Sequence, residues 1–408
     1  MILISQLPTE ILESIASLLN PANLCNLRSA NKAVCKKVSA SFGKACFATL
    51  STDLSSQSLE KLDRVAATDH LRLHVQTLFL SYGHQSEFGN GLKWSRHQEG
   101  YLEKVQPSSQ PLEDLLINKL PNCHSVYINS FQDSGDLTGE LSVTDVVCII
   151  LSIIARSGLR IKSFTIDLCG QHPWNTSRGS GHLYAGRLPP YLDWQTSTFA
   201  EAWACLEELH FHQDLDPQIT SFTRELIQLA SGLKVLSLTG SYDDHSTIHP
   251  ILRLKRPNLQ KLYLRSAYIP QRLLLSFLET SKSTLRLLSL AMVYMEENGV
   301  WPAVFRTLRN DFPSLTAISL FYIKERYTEG EEDFHTTVMV FPTFFQRLLS
   351  SSIPVQPFDF TVKKAGLVGF DYTGPHMARV LQLLEECVEP LHEKSQAVRE
   401  AHGRYPLP

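Results

Sequence analysis

The sequence predicts an α/β protein in which a solenoid of strand–helix repeats follows a small three-helix module. Three observations predict this fold class. An apolar pattern returns at a nearly constant interval from residue 75, the stretches between its copies carry amphipathic helices, and residues 7–42 hold three short apolar stripes at helical spacing. We therefore expect parallel strands along a concave wall and helices along a convex wall.

The repeated pattern places apolar residues at its first, fourth and sixth positions. Its copies begin at Val75, Cys123, Ile161, Leu206, Leu233, Leu259, Leu285 and Leu315. The last five copies start 27, 26, 26 and 30 residues apart, an interval typical of leucine-rich repeats that pair a strand with a helix. An ordinary α/β domain with scattered leucine-rich strands is the alternative, and the regular spacing argues against it.

The segments around these strands complete the predicted array. Helices that would cover the strands are predicted over residues 142–156, 216–230, 246–254, 270–281 and 298–309. After residue 325 the repeat fades, and residues 358–362 alternate like a closing strand. A helix over residues 377–389 is expected to cap the array, because a terminal repeat needs its apolar face covered, and a polar tail follows.

Two insertions lengthen the first repeats, over residues 81–113 and 169–200. The second insertion contains Trp174 and Trp194, and long loops in a compact array are often functional. Aromatic side chains suit either the binding of a partner or packing against the repeats, so the sequence leaves both interpretations open.

Composition and motifs exclude several classes of function. The formal charge of −3 over 408 residues gives no general drive toward nucleic acid or an anionic membrane. The longest apolar run, residues 146–155, is about half of a membrane span. None of the 8 cysteines belongs to a C-x-x-C pair, which argues against a structural zinc site and suits a reducing cytoplasmic or nuclear location.

The chain lacks the short signatures of common hydrolases, zinc proteases and nucleotide-binding enzymes. We therefore expect no catalytic residue, no metal and no cofactor. The mixed cluster of Asp167, Cys169 and His172 leaves one less favoured alternative, an enzyme with a site in the 169–200 insertion.

The free positions of the strands are predicted to face outward and to form the surface that meets a partner. An acidic and histidine-bearing strand follows Leu206, and a Lys-Tyr-Arg strand lies two repeats later. Tyr and Arg are enriched at binding hot spots, so we expect a protein segment as the ligand, against the alternative of a solvated face without a partner. The candidate substrate-binding residues are Tyr127, Glu208, His210, His212, Lys261, Tyr263 and Arg265, with Trp174 and Trp194 of the insertion.

The first forty residues carry the most specific string of the chain. It opens with Leu7-Pro8-Thr9-Glu10-Ile11, where proline suits the first turn of a helix because its missing N–H costs nothing there. Apolar residues then recur at helical spacing until Asn20-Pro21 ends the helix. Two further helices are predicted, one around Leu24 and Leu27 and one over residues 32–42. So small a unit buries too little surface to be stable alone, and it needs a partner or the rest of the chain.

This string resembles an F-box, the helical module that docks substrate receptors onto the Skp adaptor of cullin-type ubiquitin ligases. The Leu-Pro-x-Glu-Ile opening, the Leu-x-x-Leu-Arg second helix and Asn31-Lys32 carry the resemblance, while the third helix lacks the aromatic residue of many F-boxes. The alternative is a helical cap on a larger domain. The resemblance implies a set of adaptor-binding or module-forming residues, namely Leu7, Pro8, Ile11, Ile15, Leu18, Leu24, Leu27 and Lys32.

The whole chain resembles fungal-type F-box proteins with a degenerate leucine-rich-repeat body. The expected domains are an F-box over 1–45, a helical linker over 46–74, an irregular solenoid over 75–370, and a capping helix with a tail over 371–408. The resemblance implies a non-catalytic substrate receptor of a Skp–cullin–F-box ubiquitin ligase. Its partners would be the adaptor, through it a cullin, and a protein substrate. A repeat scaffold outside any ligase, or an adaptor-binding protein without a cullin, is the alternative.

Overall fold

The computed structural model describes the chain in segments that fall into two compact units. Unit 1 comprises Met1–Ser130, Ser134–Phe164 and Gly186–Ala202, and unit 2 comprises Phe131–Asp133, Thr165–Ala185 and Trp203–Pro408. The predicted closing strand over 358–362 and the tail after residue 390 lie outside the described residues. The described residues are 4–81, 88–130, 141–168, 183–190, 196–213, 215, 217–240, 247–296, 299–328, 334–341, 343–344, 347, 353, 356–357 and 368–390.

The N-terminal part of unit 1 is helical. Its helices are α1 (Thr9–Ser17), α2 (Pro21–Ala30), α3 (Lys32–Lys37) and α4 (Ser39–Phe47). Asn20 and Asn31 cap α2 and α3, because each side chain accepts a backbone N–H of the first helical turn. The single helix predicted over 32–42 is wrong: the chain turns at Val38, whose φ of −98° and ψ of 8° separate α3 from α4.

Short parallel strands and helices form the rest of unit 1. β1 (Thr49–Thr52), β2 (Thr77–Ser81) and β3 (Ser125–Asn129) pair in parallel, and α5 (Ser56–Ala66), α6 (Asp69–Arg72), α7 (Gln110–Asp114) and the π-helical turn Leu115–Lys119 lie between them along the chain. β1 falls inside the segment expected to be a helical linker. Its inward residues are Leu50 and Thr52, and a buried threonine in place of an apolar residue removes the repeat signature.

α8 (Val143–Ser157) is buried along most of its length and capped at both ends. Ser142 and Asp145 form a reciprocal capping box at its start, and Gly158 ends it in the left-handed conformation, with a φ of 68°. The side chain of Asp145 is fully buried and accepts from Arg96 at 3.0 and 2.7 Å and from Arg187 at 3.1 Å. The predicted helix over 142–156 is confirmed to within one residue at each end.

Unit 2 alternates strands and helices, as the repeat predicts. β4 (Ser163–Asp167) and α9 (Ser197–Trp203) precede this alternation along the chain. β5 (Glu208–His212), β6 (Val235–Thr239), β7 (Lys261–Pro270), β8 (Leu287–Glu296) and β9 (Ala317–Phe321) pair in parallel in that order. α10 (Pro217–Leu229), α11 (His249–Leu252), α12 (Gln271–Glu279) and α13 (Trp301–Asp311) follow successive strands. The apolar positions of the repeat, such as Leu236 and Leu262, are fully buried, so they form the core of this unit.

Three successive repeats bend at the same position. Ser266, Met292 and Tyr322 have φ angles of 49°, 54° and 50°, a region that residues other than glycine rarely adopt. Each stands two residues after the last apolar position of its repeat. After the bend β7 and β8 continue side by side, with Ala267 opposite Val293. The sequence does not predict these half-strands, because the left-handed residue interrupts the alternation of apolar positions.

The last part of unit 2 contains antiparallel pairs and a covering helix. β10 (Lys324–Thr328) and β11 (Phe334–Val340) pair with each other, β12 (Gln356–Pro357) and β13 (Gly369–Thr373) extend the sheet beside β9, and β14 (Glu389–Pro390) pairs with β11. α14 (Met377–Cys387) packs against α13, where Glu385 accepts from Arg306 at 2.7 Å and pairs with Arg309 at 2.8 Å. The helix predicted over 377–389 is thus confirmed.

Candidate functional site

The inward face of α1 holds the N-terminal helices together. Leu12 and Ala16 are buried in one cluster with Leu24, Val34 and Val38, which come from α2, α3 and the turn before α4. Burial of such side chains is the main favourable contribution to the packing of these helices. This cluster explains why the apolar residues of three short helices recur at helical spacing.

A neighbouring face of α1 is also apolar, and it is open. Ile11, Ile15 and Leu18 are 49%, 36% and 86% exposed. Their spacing of four and three residues sets them in one row along the helix and its C-terminal cap. We call this row the α1 stripe. Contiguous exposed apolar side chains on a folded protein mark a surface that meets a partner.

The residues predicted to bind the adaptor or form the module differ in how far they are exposed. Leu24 is fully buried in the cluster, so its place is that of a module-forming residue. Leu7 and Leu27 are half-buried and pack against the same cluster. Pro8 and Lys32 are exposed, like the α1 stripe.

Lys37 fixes the start of the chain, although the sequence did not single it out. Its Nζ donates to the backbone oxygen of Leu7 at 2.7 Å and to that of Ser5 at 3.1 Å. The contact ties the residues before α1 to the end of α3. An exposed-looking lysine in a basic stretch gives no sequence signal for such a role.

A second surface lies in unit 2, where alternate side chains of neighbouring strands share one face of the sheet. We call it the strand face. The sequence correctly predicts that the acidic and histidine-bearing strand, β5, and the Lys-Tyr-Arg strand, β7, are separated by one strand, β6. The register forms rows across these strands: Glu208–Val235–Lys261, His210–Ser237–Tyr263 and, from β6 to β7, Thr239–Arg265.

The free positions of β6 lie on the strand face, but they are nearly buried there. Val235, Ser237 and Thr239 are 7%, 6% and 4% exposed, because they are smaller than their neighbours on β5 and β7. Glu208 and Lys261 at the two sides are exposed. The strand face therefore presents side chains of β5 and β7 over a buried line of β6 residues.

Burial keeps the histidines of β5 uncharged at neutral pH. It lowers the pKa of His210 to about 4, with a smaller contribution from the charge of His212. Burial also lowers the pKa of His212, an effect that the carboxylate of Asp167 opposes and the charge of Arg265 reinforces. His212 Nε2 lies 2.7 Å from the hydroxyl oxygen of Ser237. At neutral pH the charge of this face therefore resides on its carboxylates and on its Lys and Arg side chains.

The remaining candidate residues are Tyr127, Trp174 and Trp194. Tyr127 of unit 1 is half-buried on β3, and its ring lies beside that of Phe79 on β2 with centroids 5.1 Å apart. Trp174 and Trp194 lie outside the described residues. The same holds for Cys169 and His172 of the proposed mixed cluster.

The described part of the chain offers no candidate for a metal site or for a membrane-spanning helix. Within it, no group of three or more His, Cys, Asp or Glu side chains is placed to hold a metal ion. No described helix is both long enough and apolar enough to cross a membrane.

Comparison with known proteins leaves the family open. No family model matches the chain, and no curated protein matches it. Among solved structures, the chain is similar to TLR13 in its complex with ssRNA13, at 12% identity and a TM-score of 0.31. The match covers 66% of this chain and 35% of that one, so this chain spans about a third of its length. A likeness at that TM-score carries no argument about function.

Proposed function

We propose that this chain is the substrate-receptor subunit of a Skp–cullin–F-box ubiquitin ligase, in which the N-terminal helices bind the Skp-type adaptor and the repeats recruit a protein substrate. The α1 stripe is the observation that carries the proposal. Exposed apolar residues in a row along one helix are what a partner needs in order to receive that helix in an apolar groove. The resemblance of residues 7–32 to an F-box supplies the identity of the partner.

The energetics of the α1 stripe suit part of such an interface. Full burial of a fully exposed large aliphatic side chain contributes about 1.5–3 kcal/mol. Because the three side chains are already partly buried, covering the rest supplies about 3–5 kcal/mol in total. Association itself costs more than about 4 kcal/mol, so the stripe needs neighbouring contacts to give a stable complex. Pro8 and Lys32 are exposed and available for them.

The proposed receptor performs no chemistry. By holding the substrate and the adaptor at once, it raises the effective concentration of a substrate lysine near the ubiquitin-charged enzyme. This role requires two separate binding surfaces and no catalytic residue. The α1 stripe and the strand face are the candidates for these two surfaces.

The test is co-purification of the full chain with the Skp adaptor, using Ile11→Glu combined with Ile15→Glu. A carboxylate that must enter an apolar groove is costly, so we expect adaptor binding to fall at least about 100-fold. The matched control is Val105→Glu with Ile117→Glu, which alters apolar side chains that are 67% and 42% exposed elsewhere in unit 1. Equal loss of binding in both double variants, or full binding by the first, would contradict the proposal.

Point variants are preferable to removal of the N-terminal helices. A chain that starts at Ser51 would lose half of β1 and the backbone oxygen of Ala48, which accepts from Gln76 and Thr77 at 2.9 Å each. Its failure to bind could then reflect a damaged sheet. The substitutions in the α1 stripe leave the fully buried cluster of Leu12, Leu24, Val34 and Val38 in place.

The same complex distinguishes a ligase subunit from an adaptor-binding protein that works without a cullin. We expect the chain, the adaptor and a cullin to elute together in size-exclusion chromatography. If the adaptor complex forms but excludes the cullin, the ligase role is wrong and the adaptor-binding role remains.

A further inference from the structure

We propose that the strand face of unit 2 binds an extended protein segment that crosses the strands and carries a basic, an acidic and an apolar side chain in that order. The proposal rests on the proposed function only for the owner of this segment, the protein to be ubiquitinated. The order of side chains follows from the chemistry of successive strands and from their register.

The chemistry of the face changes from strand to strand. β5 presents Glu208, whose side chain is 50% exposed, and β7 presents the exposed Lys261 in the same row. The next residue of that row is Leu287 on β8, which is half-buried. One row thus runs from an acid through a base to an apolar side chain.

A second row repeats the basic-to-apolar part of this order. Arg265 on β7 lies opposite Ala291 on β8, which lies opposite Phe321 on β9. Arg265, Ala291 and Phe321 are all partly exposed. Two rows with the same order make a broad basic strand that is flanked on one side by an apolar area.

Along β7, by contrast, the chemistry hardly changes. β7 offers Lys261, Tyr263 and Arg265 in succession, which are basic or aromatic throughout. A segment lying along β7 would therefore meet one kind of environment. A segment that crosses the strands meets all of them, so crossing is the direction in which this face can discriminate between sequences.

Strand spacing sets the spacing of the ligand side chains. Neighbouring strands lie about 4.8 Å apart, so the acidic β5 and the basic β7 are about 10 Å apart. β9 lies about 10 Å further beyond β7, and its Phe321 continues the apolar area that Leu287 and Ala291 begin on β8. A segment in the extended polyproline II conformation rises about 3.1 Å per residue with about three residues per turn, so every third side chain points the same way and successive ones lie about 9 Å apart. The segment should therefore carry its basic, acidic and apolar residues at about every third position.

The β6 residues between the two charged strands favour this arrangement. Val235 and Ser237 are nearly buried, so β6 itself presents little for a ligand side chain to contact. Opposite charges across a protein interface set its register more than its affinity. Recognition should thus come from the charge order, and substitutions on the face should alter preference before they abolish binding.

The experiment measures binding of two fluorescein-labelled peptides to the full chain by fluorescence anisotropy. In the first peptide Lys, Glu and Leu stand at successive third positions among Ser residues, and in the second peptide Lys and Glu are exchanged. We expect the first peptide to bind about tenfold more tightly than the second, because the second places like charges against Glu208 and Lys261.

The deciding variant exchanges the charges of the face, Glu208→Lys with Lys261→Glu, and keeps the net charge constant. We expect it to prefer the second peptide. The matched control is Glu279→Lys with Lys282→Glu, an exchange at exposed positions at and just after the end of α12, which should keep the original preference. Absence of binding by either peptide, equal affinity for both, or an unchanged preference in the deciding variant would overturn the proposal.

Adaptor co-purification with the same variants separates this proposal from the proposed function. The charge exchange on the strand face should leave adaptor binding unchanged. If peptides bind in the expected order but the adaptor does not bind, the ligase role fails and the strand face stands. The reverse result removes only the strand-face proposal.

Discussion

α1 and α8 are two helices of unit 1 that differ in how far their apolar residues are exposed. α8 buries most of its length and is closed by a capping box and a left-handed glycine. α1 follows Pro8, which makes no side-chain cap bond, and leaves Ile11, Ile15 and Leu18 exposed beside the buried Leu12 and Ala16. The apolar residues of α8 are therefore covered by the rest of the chain, whereas three apolar residues of α1 and its C-terminal cap stay exposed.

This difference separates apolar residues that build the fold from apolar residues that stay exposed, which we propose meet a partner. On α1 the two sets are interleaved along one helix, so a substitution can address one set without the other. On α8 every apolar position that is changed also changes the core. The following predictions, from the largest expected effect to the smallest, test this distinction.

Loss of the Asp145 carboxylate should have the largest effect on stability. Asp145 is fully buried, caps α8 and pairs with Arg96 and Arg187, so Asp145→Ala leaves two half-buried guanidinium groups without this partner. We expect the free energy of unfolding to fall by about 3–5 kcal/mol in urea titrations.

The control for Asp145 is an exposed aspartate of the same unit. Asp69 pairs with Arg72 at 2.9 Å, but its side chain is 89% exposed. Asp69→Ala should cost less than about 0.5 kcal/mol, because exposed ion pairs contribute little. Equal effects of the two substitutions would show that the ion pairs of Asp145 do not stabilise α8.

The sequence predicts α8 well and the environment of Asp145 poorly. Ser142, Asp145 and the apolar run that follows give both the start of the helix and its burial. Arg96 lies 49 residues before Asp145, and Arg187 lies 42 residues after it. Pairing over such distances depends on how the loops fold back, and no local pattern encodes it.

His210 of β5 is buried in its neutral form, whereas Asp145 is buried as an ion pair. The burial of His210 predicts that acid destabilises the fold. The pKa of His210 is about 4 in the folded chain and about 6.5 when unfolded, so protons bind preferentially to the unfolded chain between these values. The contribution of His210 to the free energy of unfolding should be fully present above about pH 6.5. It should fall by up to about 3 kcal/mol as the pH approaches 4.

Urea titrations at pH 7 and pH 4.5 check this expectation. His210→Gln should reduce the loss of stability between the two pH values, although His212, whose pKa is also lowered by burial, retains part of it. His70→Gln at an exposed position serves as the control and should leave the pH dependence as it is. An unchanged pH dependence in His210→Gln would contradict the burial argument.

Substitution to alanine should lower the free energy of unfolding far more at one residue of α1 than at its neighbour. Leu12 is fully buried, so Leu12→Ala should cost about 2–3 kcal/mol of unfolding free energy. Ile11 is 49% exposed, so Ile11→Ala should change stability by less than about 0.5 kcal/mol. Thermal unfolding of both variants, together with adaptor binding, separates the fold-building residue from the binding residue.

Sequence reasoning identified the residues of α1 but could not assign them to faces with certainty. Leu24 carries the same apolar signal as Leu18, yet one is fully buried and the other is 86% exposed. Their burial depends on how α1, α2 and α3 pack, which a periodic pattern does not specify. The buried line of β6 residues was missed for a similar reason, because exposure there depends on the size of side chains one strand away.

The smallest predicted effect concerns the residue that ends α8. Gly158 has a φ of 68°, and an added Cβ would lie 3.4 Å from Thr198 Cγ2, an ordinary contact. The cost of Gly158→Ala therefore comes from the backbone conformation, and we expect a loss of about 1 kcal/mol in the free energy of unfolding.

Gly186→Ala is the matched control in the same unit, because its φ lies outside the left-handed region and an added Cβ would meet no atom within 4 Å. It should keep or slightly raise stability by restricting the unfolded chain. Equal losses at the two glycines would mean that α8 is not closed by its left-handed cap, and that burial alone distinguishes it from α1.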